Sequence, residues 1–344
     1  MTPTGRPKRI WKGRNIALWT VLSAIVVFIL LSLIADLEAL ETALVDFPLG
    51  LLIPIGLLSL GNYFLRYVKW HWYLKLLGHR VSRLPNFLVF LSGFALTVTP
   101  GKIGEFVKAY ILKERYHVPY TASTAVLLME RFTDVAAIVI LGCLGLFLRY
   151  LHWSVAVAAV LPFFVFLMLL RNRSVAGWII DQISRFKLLN RLSDPLRTFY
   201  EEGWVLLDMG VFIQSLLLSL AAWFLEGLGY TLVAWGLGSA ITVMEGVFIY
   251  SVALLGGALT LFLGGLGATE GGMVGLGILF GMSRSISTAS TIIIRVMTLW
   301  FAVLIGWGVF LFTPSLRSLL KAASMDEVEM TSEEIEVKGQ SNVQ

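Results

Sequence analysis

Charged residues are scarce in this chain, at 14% of its 344 residues, whereas a soluble domain carries about 25%. Apolar residues make up 57% of the sequence, and several apolar runs reach the ~20 residues that cross a ~30 Å hydrocarbon core. This composition excludes a soluble globular domain. Because a helix satisfies its own backbone polar groups within lipid, we predict an all-α, polytopic helical membrane protein.

Cysteine is almost absent as well, and the one residue, Cys143, excludes an intramolecular disulfide and a thiolate metal cluster. The four histidines are scattered and form no pair at metal-ligand spacing. We therefore predict no metal, no cofactor and no catalytic residue set. The net charge of +5 comes from Lys and Arg in short loops, without a basic stripe interleaved with aromatics. It indicates membrane orientation and excludes nucleic acid as the expected partner.

The distribution of basic residues predicts where the chain starts relative to the membrane. Residues 1–15 carry five Lys or Arg residues and precede an apolar segment, 16–35. The following loop, 36–47, is acidic and contains neither Lys nor Arg. Since cytoplasmic loops carry the excess of Lys and Arg, we expect a cytoplasmic N-terminus and place 36–47 outside.

Two basic loops determine the expected topology of the first transmembrane half, 16–170. A span over 48–68 is expected to emerge at Lys69, with residues 70–73 forming an aromatic belt at the interface. The loops Lys75–Arg83 and Lys108–Arg115 are both basic, so both are expected in the cytoplasm. The apolar segment between them is too short to span before Pro100 and Gly101, which favours a re-entrant hairpin near 87–107.

The remainder of the chain is predicted to repeat this scheme from the opposite side. Residues 171–210 read as a cytoplasmic amphipathic linker between the halves. The second half, 211–313, contains a second re-entrant hairpin near 243–281. Residues 314–344 form an acidic cytoplasmic tail that we expect to be disordered. In total the sequence predicts about six full transmembrane helices and two re-entrant hairpins in an inverted repeat, with both termini cytoplasmic.

A glycine-rich break followed by a glutamate, and then by an arginine in an apolar helix, occurs twice. The first copy is Thr99–Glu105 (TPGKIGE) with Arg131, and the second is Gly264–Glu270 (GGLGATE) with Arg295. Charged side chains at membrane depth are costly unless they are paired or face a polar cavity. Duplicated charge in matching places therefore indicates a polar site at the centre of a duplicated fold.

The glycines and charges of these motifs are the candidate site. Gly101, Gly104, Gly265 and Gly267 are expected at the hairpin tips, where free N–H groups suit a phosphate; alternatively these glycines allow tight helix packing. The charged candidates for substrate binding are Lys102, Glu105, Arg131, Glu270 and Arg295. An arginine fork holds a phosphate in two hydrogen bonds, but each Glu/Arg set is equally well explained as a structural ion pair.

Two further features leave alternatives open. Glu130 and Asp134 lie beside Arg131 at spacings that allow local ion pairs, which would leave less charge for a ligand. Glu226 is another acid within an apolar segment. It suits a proton-coupling carboxylate, although a hydrogen bond in helix packing is the favoured interpretation.

The motifs around residues 100–105, 130–134, 264–270 and 295–300, in this order, resemble the lysylphosphatidylglycerol synthase transmembrane-region family, also called the flippase-like or UPF0104 family. The resemblance covers roughly 16–313 and implies a multi-pass cell-membrane protein that handles lipids with polar headgroups. In two-domain members this region flips an aminoacylated lipid made by a cytosolic catalytic domain. Here we expect no such domain after Thr313.

These observations together predict a flippase-like protein that translocates a lipid or lipid-linked headgroup across the cytoplasmic membrane. A membrane phospholipid or lipid-linked substrate is the expected partner, with a separate enzyme making that substrate. The alternatives are a membrane enzyme that transfers an aminoacyl or glycosyl group to or from a lipid carrier, and an accessory subunit of such a system. An enzyme would normally show acid/base carboxylates or a metal motif, and none is evident in the sequence.

Overall fold

The computed structural model describes residues 37–97, 103–147, 153–185, 193–259 and 266–314. Every regular element within these ranges is helical, which confirms the predicted all-α class. The basic N-terminus, the first predicted span and nearly all of the C-terminal tail lie outside the described residues.

The α-helices of the described ranges follow one another with short connections. In chain order they are α1 (Leu37–Val45), α2 (Leu52–Leu76), α3 (Arg83–Ser92), α4 (Ile103–Tyr116), α5 (Tyr120–Phe147), α6 (Trp153–Arg171), α7 (Arg173–Arg185), α8 (Ser193–Gly203), α9 (Met209–Gly236), α10 (Val243–Leu259), α11 (Ala268–Leu279), α12 (Arg284–Arg295) and α13 (Phe301–Phe312). A π-helical turn, Val296–Trp300, joins α12 and α13 into one continuous helix.

Three helices among the described residues are long and apolar enough to cross a membrane: Leu49–Leu76, Met209–Gly236 and Arg284–Phe312. The number becomes four if α6 and α7, which meet at an angle of 85°, are counted as one bent span. Helix α5 has 28 residues but carries three charges near its middle. The count of six full spans therefore stays a prediction, as do the two re-entrant hairpins.

The helices repeat in one order in the two halves. The first half consists of α2, a tight turn, α3, a break at 98–102, α4 and α5. The second half follows the same order with α9, a tight turn, α10, a break at 260–265, α11 and the continuous helix α12–α13. Gly78 and Gly238 close the first turn in each half, both at φ +83°. In both turns the residue after the glycine donates its N–H to the carbonyl five positions earlier, which is the Schellman arrangement that favours glycine.

The two halves interlock instead of standing side by side. Helix α2 packs along α9, and α5 packs along both α9 and α10. Helix α13 packs against α3 and against the 3₁₀ turn Gly93–Leu96 that continues it. A Cβ added at Gly306 of α13 would overlap the backbone nitrogen of Ala95, so this crossing requires glycine. Each half therefore supplies walls to the space between the two breaks.

The linker between the halves contains α7 and α8. Ala176 and Ile180 of α7 are buried while Asp181 is exposed and pairs with Arg197 of α8 at 3.0 Å, in keeping with the predicted amphipathic character. The linker ends at Asp208, which caps α9. Hydrogen bonds from the Gly210 and Val211 N–H groups hold the pKa of Asp208 below its ordinary value.

The structure corrects two expectations about the first half. Lys69 does not end its helix in solvent: α2 continues to Leu76, the Lys69 side chain is fully buried in the protein, and Trp70 and Tyr73 are buried as well instead of forming an exposed aromatic belt. The predicted outer loop at 36–47 contains the helix α1. Helix α2 continues beyond the predicted end of the span because neighbouring helices cover its polar residues.

Candidate functional site

A polar cavity of about 200 Å³ lies between the two halves. Residues on both sides of the first break (Thr97 and Lys108) and of the second (Ala258 and Thr269) line it, so the two motif regions converge on one space. Among the described lining residues four are cationic and two are acidic. These are Arg66, Lys108, Arg131 and Arg295, with Asp134 and Glu226. The described lining thus carries a formal excess of two positive charges.

Glu130 organises the cations of the first half. It lies on α5, is fully buried, and its Oε1 accepts hydrogen bonds from Arg131 at 2.9 Å and from Arg66 of α2 at 3.2 Å. Its Oε2 lies 3.8 Å from Nζ of Lys108. A carboxylate held by charged donors in a desolvated place is a strong positioning element, because charge-assisted bonds are the strong ones. Glu130 therefore aims two guanidinium groups toward the cavity.

Asp134, one turn further along α5, anchors the buried Lys69. Nζ of Lys69 lies 2.6 Å from Asp134 Oδ1 and 2.6 Å from Ser219 Oγ of α9, and donates to Thr133 Oγ1 at 3.1 Å. The ammonium group has three protons, and these three oxygen atoms match them. This cluster joins α2, α5 and α9 beneath the cavity and keeps the buried charges balanced.

Lys108 is the second cation that the sequence placed in a solvent-exposed loop. It lies in α4 and is only 3% exposed, so it is not part of an exposed loop; the side of the membrane on which α4 lies stays a prediction. Its ammonium sits 4.4 Å from the ring centroid of Trp70 and 5.1 Å from that of Phe90, in cation–π contact. Lys113 and Arg115 in the same helix are exposed.

In the second half Glu270 performs two tasks at once. Its Oε2 accepts the Gly267 N–H at 2.6 Å, which caps the start of α11 just after the break, and its Oε1 lies 2.6 Å from Nε of Arg295. Gly267 adopts φ +86°, a conformation that requires glycine at this helix start. The ion pair engages Nε of Arg295, and Arg295 also lines the cavity.

Arg295 is also the last residue before the π-helical turn. The extra residue of a π turn frees backbone carbonyls from the regular helical pattern. The Thr298 carbonyl accepts a hydrogen bond from the Tyr63 hydroxyl of α2, and both residues line the cavity. The turn therefore ties the second half to α2 at the level of the charged groups.

The predicted site residues fall into two groups. The structure brings Arg131 and Arg295 to the wall of one cavity and pairs Arg295 with Glu270, whereas Arg131 pairs with Glu130 and, at 3.7 Å, with Asp134. Gly101, Lys102 and Gly265 lie outside the described residues. Gly104 and Glu105 belong to the first turn of α4, so Gly104 is helical; the side chain of Glu105 lies outside the described part of the structure.

Sequence reasoning missed Arg66, Lys69 and Lys108. Arg66 and Lys69 lie three residues apart in α2, on the face that also carries Tyr63, Asn62 and Trp70, all buried or cavity-lining. This periodicity was the available signal. The competing signal at Lys69 is that a basic residue at the end of an apolar run usually marks a cytoplasmic flank.

Glu226 forms the other acidic part of the lining. It lies on α9, is 6% exposed, and accepts a hydrogen bond from the Tyr250 hydroxyl of α10 at 2.5 Å. The favoured interpretation of Glu226 as a partner in helix packing agrees with this contact. A larger groove of about 390 Å³ between α2 and α9 has an apolar lining with Gln214 as its polar member, and so offers no charged group to a headgroup.

The fold and the cavity define the class: an integral, helical membrane protein with a cationic cavity between two repeated halves. The particular family follows from comparison. Residues 20–306 match the model of the lysylphosphatidylglycerol synthase TM region, and the chain belongs to this family. This confirms the resemblance carried by the duplicated motifs.

Two relatives are membrane proteins of the same type. The chain is 25% identical over 265 residues to a UPF0104 membrane protein of Methanothermobacter thermautotrophicus, covering 70% of this chain and 78% of the relative. It is 23% identical over 239 residues to a UPF0104 membrane protein of Methanocaldococcus jannaschii, covering 66% of this chain and 97% of the relative.

Proposed function

We propose that this protein translocates a lipid, or a lipid-linked polar headgroup, across the cell membrane. The observation that carries the proposal is the convergence of guanidinium groups from both halves, Arg66 and Arg131 from one and Arg295 from the other, on one cavity. The membership in a lipid-related membrane family supports it. The substrate lipid would come from a separate enzyme, and both termini would lie in the cytoplasm.

The chemistry of the lining favours a phosphate or phosphodiester. Guanidinium groups bind phosphate oxygens through two parallel hydrogen bonds, and these bonds gain strength where water is excluded. Glu130 and Glu270 hold the arginines in position from behind, which reduces the ordering that binding would otherwise require. The Lys102 side chain of the first motif is an additional anion contact in this proposal.

The size of the cavity agrees with a headgroup and not with a whole lipid. Drug-sized ligands occupy pockets of about 300–1,000 Å³. The 200 Å³ found here would take the polar group while the acyl chains stay in the bilayer. Rocking of the two interlocked halves about this site would expose it to each leaflet in turn.

The decisive variants are Arg131→Lys and Arg295→Lys, because lysine keeps the charge and removes the two-pronged fork. In liposomes with a fluorescent phosphodiester lipid, transfer between leaflets should fall by at least ~10-fold, since a charge-assisted hydrogen bond is worth ~1.5–3 kcal/mol. Thermal stability should stay near that of the unchanged protein. Arg197→Lys, in the exposed ion pair of the linker, is the matched control and should transfer lipid normally.

Two outcomes would contradict the proposal. If Arg131→Lys and Arg295→Lys transfer lipid at the unchanged rate, the site lies elsewhere; if both fail to fold while Arg197→Lys folds, the arginines are structural locks. Lipids that copurify with the protein should be analysed alongside. A chemically altered probe lipid, instead of a relocated one, would favour the enzyme alternative.

A further inference from the structure

Glu226 differs from the other buried acids that surround the cavity. Glu130, Asp134 and Glu270 each lie within 3.2 Å of a cationic nitrogen. In the part of the chain that the structure describes, Glu226 has a neutral partner instead, the hydroxyl of Tyr250. It is as buried as an ion-paired residue and faces the cavity without an ion pair.

The groups around Glu226 come from four helices. Tyr63 and Arg66 of α2, Asp134 of α5 and Arg295 of α12 line the same cavity as Glu226, and the Tyr250 hydroxyl of α10 donates a hydrogen bond to it. A buried carboxylate without an ion pair is costly inside a membrane, and binding one proton removes that cost. Whether Glu226 is protonated therefore depends on whether Arg66 and Arg295 are available to it or are engaged by another anion.

Glu226 occupies the position in the second half that an arginine, Arg66, occupies in the first half. Arg66 lies twelve residues before the turn glycine Gly78, and Glu226 lies twelve residues before the equivalent glycine, Gly238. The same position thus carries a cation in the first half and an acid in the second. Both residues line the same cavity, so the lining combines the arginines that would bind an anion with one acid, Glu226.

We propose that Glu226 is a proton-binding site, and that the cavity takes up one proton together with one headgroup phosphate. A phosphate bound to Arg66 and Arg295 offsets their positive field, so Glu226 then binds a proton from water at a carboxylate oxygen. Release of the phosphate restores the field and the proton leaves to water. This inference rests on the proposed translocase function and adds its energy source, a proton gradient.

Infrared difference spectroscopy tests the proton site without any transport. sn-Glycero-3-phosphoglycerol, a phosphodiester headgroup that carries no ester carbonyl, is added to the purified full chain, and the protonated carboxyl C=O stretch is followed. We expect the band to appear on binding, to vanish in Glu226→Gln, and to shift in Tyr250→Phe, which loses the hydrogen bond. Glu245→Gln is the matched control, since Glu245 is also 6% exposed but caps α10; it should keep the band.

A pH gradient across liposomes tests the coupling. With one proton carried per lipid, a gradient of ~1 pH unit, a ~10-fold ratio of protons, should enrich the probe lipid in the leaflet facing the alkaline side by up to ~10-fold. Glu226→Gln should lose this enrichment and Glu245→Gln should keep it. Since one proton neutralises the single negative charge of the phosphodiester, a potassium diffusion potential should have little effect on the distribution of the probe lipid between the leaflets.

The two experiments separate the failures. Lipid transfer that ignores the pH gradient, or enrichment on the acidic side, overturns proton coupling while leaving the translocase intact. Absence of any lipid transfer contradicts the translocase, and the infrared band still decides whether Glu226 binds a proton. A band that persists in Glu226→Gln, or never forms in the unchanged protein, overturns the proton site.

Discussion

At the scale of single residues, the site depends on buried acidic side chains that form ion pairs with the arginines of the cavity wall. Glu270 ties Arg295 to the first turn of α11, and Glu130 ties Arg131 to Arg66 on another helix. Each acid is almost completely buried, so its charge is stable only while its partners are present. Lys69 likewise needs its charged partner, Asp134. It is the best position for testing this dependence, because it is fully buried and is not among the residues that line the cavity.

We expect Lys69→Met to destabilise the protein strongly. The change leaves Asp134 with only the longer contacts to Arg66 at 3.8 Å and Arg131 at 3.7 Å, and breaking one side of a buried ion pair costs about 3–5 kcal/mol. Thermal unfolding in detergent measures the loss. Adding Asp134→Asn to Lys69→Met should restore part of it, since the buried carboxylate that lost its nearest cation is then removed.

The control for this prediction is Lys75→Met on the same helix, where the lysine is exposed. It should unfold near the temperature of the unchanged protein. Equal stability of Lys69→Met and Lys75→Met would mean that the Lys69 cluster is not a structural anchor.

At the scale of helices, close crossings are set by glycine. In α13, Gly306 faces the 3₁₀ turn Gly93–Leu96, whereas a Cβ added at Gly308 would meet no atom of the described residues within 4 Å. A membrane interior provides little hydrophobic driving force between helices, so their association depends on such close backbone approach. The crossing of α13 over this turn holds one wall of the cavity, since Gly93, Phe94 and Ala302 all line it.

Gly306→Ala should therefore separate α13 from the turn and destabilise the protein by ~1–3 kcal/mol, the usual cost of overpacking. Gly308→Ala, two residues away in the same helix, should be neutral or slightly stabilising, because alanine is the better helix former. Thermal unfolding of the pair gives the comparison. The account of this crossing fails if the two variants unfold together.

At the scale of the whole molecule, the repeated order of helices makes the relative orientation of the halves testable. The turns that contain Arg80 and Ala240 occupy equivalent places in the two halves, and both residues are exposed. An inverted repeat places equivalent turns on opposite faces of the membrane. A re-entrant first hairpin, in contrast, places Arg80 and Lys113 on one face.

We expect cysteines at Arg80 and Lys113 to label with an impermeant reagent from the cytoplasmic side, and a cysteine at Ala240 from the outer side. The background for all three is Cys143→Ser, which removes the native thiol. Labelling of Arg80 and Lys113 from opposite sides would refute the hairpin. Labelling of Arg80 and Ala240 from the same side would show a parallel repeat.

The sequence alone determined the class of this protein, its duplicated motifs and most of its helices. Long apolar runs predict helices because a helix satisfies its own backbone groups in lipid, and the ion pair of Glu270 with Arg295 is one of the two alternatives that the sequence left open. The Glu105–Arg131 pair stays a prediction, because the side chain of Glu105 lies outside the described residues, while the local pairs of Arg131 with Glu130 and Asp134 that the spacing also allowed are present.

Only the tertiary structure decided which charges share the cavity. Lys69 and Lys108 lie near the ends of apolar stretches, where a sequence reading assigns basic residues to the cytoplasmic flank, and Arg66 lies within the predicted span 48–68. Their burial depends on α5, α9 and the aromatic rings of Trp70 and Phe90, which cover them from distant parts of the chain. Hydropathy along a chain is a local quantity, whereas the cost of burying a charge is set by the partners that packing brings to it.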